Sequence, residues 1–98
     1  MPASESGIED ELELWMSSDV KVTLARFFRQ NPGLVDTLAG LSVRLAIPPE
    51  RLEPQLQDHV RLGLVRARGH GEKSFYMLDP RRRAQLEDAI VRRAEGRR

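Results

Sequence analysis

The sequence predicts a mainly α-helical domain with one small β-hairpin, and three observations carry that prediction. Apolar residues recur every three to four positions in several separate stretches, the spacing that gathers them on one helix face. Residues 38–65, LAGLSVRLAIPPERLEPQLQDHVRLGLV, read as two short helices joined by a tight turn, the outline of a helix-turn-helix. The next stretch, RARGHGEKSFYML, places two strand-like arms around a glycine-containing tip.

Ninety-eight residues suffice for one domain with a modest core. The apolar fraction of 40% and charged fraction of 32% are those of a globular chain. With no cysteine there is no disulfide or thiolate chemistry. Zinc could draw only on His59, His70 and carboxylates, and two histidines eleven positions apart make a poor metal site. No cofactor is expected. The chain contains no G-x-S-x-G, P-loop or H-E-x-x-H motif, so an enzyme is not expected either. No run of eighteen apolar residues occurs, and the N-terminus is acidic where a signal peptide is basic and then apolar. The expectation is a cytoplasmic protein with no membrane partner.

A net charge of +1 conceals an asymmetry. Residues 1–18 carry −5, residues 19–65 carry +1 and residues 66–98 carry +5. A basic C-terminal third suits nucleic acid, although the near-neutral total falls short of a strongly basic domain.

In order along the chain, residues 1–5 are small and polar and should be loose. A single domain then spans residues 6–95. Ser6 and Glu9 fit a capping box, after which Ile8, Leu12, Trp15 and Met16 share one face of a helix too short to stand alone. Trp15 must therefore pack on its own core or on a second subunit. Ser17, Ser18 or Asp19 caps the next helix, whose apolar stripe is Val20, Leu24, Phe27 and Phe28. Both phenylalanines should centre the core, and Asn31-Pro32-Gly33 ends the helix. Leu34 and Val35 suit a short bridging strand, with Asp36 or Thr37 capping the helix after it.

The helix-turn-helix spans about 38–62. Its first helix stops at Pro48-Pro49, and Pro49 can open the second. Pro54 has no N–H to offer Glu50, so the second helix either starts late, near Glu53, or has a strained first turn. Gly63 should end it in a left-handed conformation. His59 reads as a half-buried helix residue bonded to backbone. The hairpin spans about 64–78, with a flexible basic tip at residues 69–73, and Phe75 to Leu78 are apolar on both faces, so one face must be covered. Asp79-Pro80 then opens a C-terminal helix over about 80–95, and residues 96–98 should fray. Arg81, Arg82 and Arg83 sit in its first turn, where the helix dipole disfavours cations. An anionic partner and a solubilising cluster are both open readings of them.

These elements and motifs resemble the winged helix-turn-helix of ArsR-type and MarR-type bacterial transcriptional regulators. Their pattern is an L-A-x-x-L-G-I turn, a recognition helix with regular apolar residues, then G-L-V into the wing. Leu41, Leu45, Ile47, Leu52, Leu56, Gly63, Leu64 and Val65 match it, as do Tyr76 and Leu78 of the returning strand. The resemblance covers roughly residues 19–79 and implies a three-helix core plus wing, with additional N- and C-terminal helices. Most matching positions are core positions, so they specify fold more than ligand. The exposed stretch departs from the pattern: Pro49, Glu50, Arg51, Glu53, Pro54 and Gln55 place two carboxylates where a polyanion would lie, although glutamate can accept from cytosine.

The resemblance implies a small DNA-binding regulator of transcription. Its candidate contacts to double-stranded DNA are Arg44, Arg51 and Gln55 on the helix-turn-helix and Arg66, Arg68, His70 and Lys73 on the wing, with Arg61 as a further donor. A homodimer through the terminal helices is expected. The alternative is a winged helix used as a protein-interaction module without DNA contact, in which Glu50, Glu53 and Pro54 mark a repurposed recognition helix.

Overall fold

A computed structural model describes residues 13–95. The Ser6 and Glu9 capping box and most of the predicted first helix lie outside these residues; residues 13–15 are its helical end. Helix α1 runs Asp19–Gln30, strand β1 Val35–Asp36, helix α2 Leu38–Leu45 and helix α3 Pro49–Arg61. Strands β2 (Val65–Arg68) and β3 (Phe75–Leu78) form the hairpin, and a 3-10 turn, Pro80–Arg82, leads into helix α4, Arg83–Glu95.

Local chemistry explains the boundaries. Ser18 caps α1 by accepting from the Lys21 amide, and Thr37 caps α2 by accepting from the Gly40 amide at 3.1 Å. At the end of α2, Ala46 is left-handed, with φ of 55°. That conformation costs a residue with a Cβ roughly 1 kcal/mol. It occupies the place where the resembled pattern has glycine. Helix α3 does not start late: it begins at Pro49 and runs through Pro54. The carbonyl left without its i+4 donor belongs to exposed Glu50, where water can serve it. Gly63, at φ of 78°, closes α3 as expected, with its own amide reaching the Val60 carbonyl and the Leu64 amide reaching the His59 carbonyl at 3.0 Å.

The three strands form an antiparallel sheet in the order β1-β3-β2, pairing Val35 with Met77 and Val65 with Leu78. Tyr76 and Leu78 point to the core, which covers one face of β3. The hairpin tip departs from the expected flexible loop. It folds as a 3-10 turn over Gly71–Lys73, with the Lys73 amide donating to the His70 carbonyl at 3.1 Å. Gly69 makes that turn possible, since a Cβ there would lie 2.6 Å from the Lys73 carbonyl oxygen.

The core gathers Leu24 and Phe28 of α1, Leu41 of α2, Leu52 and Leu56 of α3, Leu64 ahead of β2, Leu78 of β3 and Leu86 of α4. Phe28 is fully buried, whereas Phe27 packs edge-on against it from the core margin. The core is centred instead on Phe28 and Trp15, both at 0% exposure. Trp15 therefore packs within its own chain. The C-terminal helix begins later than its Asp79-Pro80 signal, because the first turn tightens to 3-10 as Asp79 caps the Arg81 amide.

Candidate nucleic-acid interface

Leu52, Leu56 and His59 turn one side of α3 into the core, which leaves Glu50, Glu53, Pro54, Gln57 and Arg61 exposed along the opposite side. Arg51 is exposed on the flank nearer α1. Among the described residues it has no ion-pair partner, and neither have Arg68, His70 and Lys73 on the wing. These four side chains occupy the two elements that a helix-turn-helix with a wing offers to a duplex.

The other candidates are engaged within the protein. Arg44 bonds Asp36 through Nε at 2.7 Å. Gln55 is half-buried and turned toward α1, where its Oε1 accepts from the Ser18 hydroxyl at 2.9 Å. Arg66 lies 3.5 Å from the Asp79 carboxylate, which also holds Arg81 at 3.0 Å. Arg81 hydrogen bonding holds the Asp79 carboxyl at a pKa of about 2, against the opposing effect of burial, and Arg66 lowers it further. The same pair raises Arg81. Arg82 donates to Gln85, so among the three consecutive arginines only Arg83 is exposed without a contact of this kind. Arg61 pairs with Asp58.

Gln57 was not among the sequence-derived candidates. It is exposed on the outward line of α3 and donates through Nε2 to the Tyr76 hydroxyl at 3.1 Å, joining the helix to the wing. Counting outward from the Leu52, Leu56 and His59 face would have found it, because Gln57 lies close to opposite that face.

At the far end of α3, polar groups are buried. His59 is fully buried, more than its sequence position suggested, and its Nε2 donates to the Trp15 carbonyl at 2.9 Å in the tautomer that this bond selects. Burial lowers its pKa to about 4, the Trp15 bond opposes that shift and the nearby Lys21 charge adds to it. Lys21 itself is buried between Asp58 at 3.0 Å and the Ser17 hydroxyl at 2.9 Å. Trp15 returns the contact by donating to the Leu62 carbonyl at 3.4 Å. No group of three or more metal-ligating side chains forms among the described residues. No helix there is long and apolar enough to cross a membrane.

No family profile matches the chain, and no curated protein matches it either. A solved structure does: HlyU from Vibrio cholerae superposes with a TM-score of 0.69 over 88% of this chain and 91% of HlyU, at 22% sequence identity. Helix, strand, helix-turn-helix and hairpin succeed one another in the order expected from the sequence, and with that superposition they identify the chain as having a winged helix-turn-helix fold.

Proposed function

We propose that this chain is a small winged-helix DNA-binding protein, a regulator of transcription that works in the cytoplasm and not an enzyme. The observation that carries the reading is the set of exposed cations without ion-pair partners among the described residues, Arg51 on α3 and Arg68 and Lys73 on the wing, with the His70 imidazole exposed beside the latter. In this reading Arg51 enters the major groove with the first turns of α3, while the wing side chains reach the backbone. Arg44, Gln55 and Arg66 act more indirectly in this reading. Their bonds to Asp36, Ser18 and Asp79 set the pose of α2, α3 and β2. A homodimer through the terminal helices accompanies it, supported by Leu14 at 47% and Val91 at 49% exposure. Titration of the chain with mixed-sequence duplex at low salt tests the proposal. Binding should weaken steeply with salt, and Arg68→Ala and Lys73→Ala should each reduce the salt slope by about 1. Binding that ignores salt, or none at all, defeats it.

A second reading, a protein-interaction module, draws on one observation. Ala39 and Val43 stand exposed one turn apart on α2, with Val43 at 82% exposure, and Ala46 is exposed just past its end. In DNA-bound helix-turn-helix domains this first helix crosses the phosphate backbone. The same titration decides between the two.

A further inference from the structure

We propose that Glu50 and Glu53 are base-reading residues, each accepting a hydrogen bond from an exocyclic amino group in the major groove, with cytosine as the selected base. The inference rests on the DNA-binding reading above and names what that site selects.

Three acids of the helix-turn-helix and sheet are neutralised: Asp36 by Arg44, Asp58 by Lys21 and Arg61, Asp79 by Arg66 and Arg81. Glu50 and Glu53 are exposed and have no ion-pair partner among the described residues. They stand in the first turns of α3, the part of a recognition helix that meets base edges. Unpaired carboxylates there repel every phosphate within a Debye length, so they weaken binding to any duplex that offers them nothing.

Only two groups on the major-groove floor can offer a carboxylate a donor, cytosine N4 and adenine N6. Adenine also displays the N7 acceptor beside its amino group, which a carboxylate opposes, whereas cytosine presents the donor alone. The guanine paired to a cytosine read by Glu50 displays two acceptors, N7 and O6, that suit an arginine, and Arg51 follows Glu50 in the exposed first turn of α3. Affinity and selectivity are thereby separated. The wing cations hold the backbone of any duplex, and the glutamates penalise all but the right one.

Selection of duplexes from a random pool by the full chain and by its Glu50→Gln and Glu53→Gln variants tests this. Both positions are exposed, and a thermal midpoint checks that each variant is folded. The parent should enrich duplexes with cytosine at the contacted positions and prefer them by about tenfold or more over duplexes with thymine there. Each glutamine variant should exchange one selected cytosine for adenine, since glutamine pairs with adenine N6 and N7, and should bind mixed-sequence duplex more tightly. Enriched duplexes without cytosine, or one preference shared by all three proteins, overturn the inference and leave the DNA reading standing. No salt-dependent binding by any of the three overturns both.

Discussion

The two halves of α3 are built on opposite principles. Its C-terminal half is tied down by buried and partly buried polar contacts: Lys21 to Asp58, His59 to the Trp15 carbonyl, and the Trp15 indole to Leu62. Its N-terminal half carries one long-range polar contact, Gln55 to Ser18, and otherwise exposes Glu50, Arg51, Glu53 and Pro54. A helix held firmly at one end has its direction set there, so the side chains of its free end can vary without altering how it is aimed. Anchoring contacts and exposed side chains are thus assigned to different turns of the same helix.

The largest test of this division is Trp15→Ala. Trp15 is fully buried and also supplies both backbone and side-chain contacts to the end of α3. The substitution should cost about 3 to 5 kcal/mol in chemical denaturation. A loss under about 1 kcal/mol, the range of surface changes, would show that the anchor lies elsewhere.

Acid should release the same end of the helix. His59 has a pKa of about 4 in the fold against 6.5 unfolded, so the unfolded chain binds its proton first as pH falls. Its stabilising contribution is complete above pH 6.5 and declines to pH 4, a loss of about 3 kcal/mol. Asp79 titrates below that window, its carboxyl lying near 2 instead of 3.8. Urea midpoints measured from pH 7 to 4 should fall for the parent and flatten for His59→Gln, whose amide can keep the bond to Trp15 without titrating. Equal slopes for the two proteins would remove His59 from the account.

A smaller effect sharpens the contrast from the side of α2, which supports the free half of α3. A Cβ on Gly40 would lie 2.0 Å from Asp36 Oδ1, and that carboxylate is held by the Thr37 amide and Arg44. Gly40→Ala should therefore destabilise by about 1 to 2 kcal/mol, the strain of overpacking less the gain in helix propensity. In an Asp36→Ala background the same change should turn stabilising, and a double-mutant cycle reads the coupling directly. No coupling would mean that Asp36 moves aside at no cost.

The features that could be read along the chain were those whose causes are local. The apolar faces of α1 and α3, the Ser18 and Thr37 caps, the stop at Pro48-Pro49 and the left-handed Gly63 each depend on residues within about one helical turn. Such causes are written in consecutive letters, and they were enough to establish a helix-turn-helix succeeded by a hairpin. Pro54 shows the limit even of local rules. Its propensity opposes a helix there, but the burial of Leu52 and Leu56 carries α3 through it.

Which candidate cations are available to a ligand was decided only by tertiary structure. Arg44 and Arg51 look alike in sequence, yet one meets Asp36, which the strand β1 places beside α2, and the other meets no acid among the described residues. Gln55 is turned inward by a serine 37 positions away, and Trp15 is claimed by a helix end 47 positions away. A side chain's partner at that separation exists only once the chain has closed on itself. The sequence by itself therefore determined the second helix of the helix-turn-helix and its apolar face, while the closed fold determined that its last turns anchor it and its first turns stay exposed.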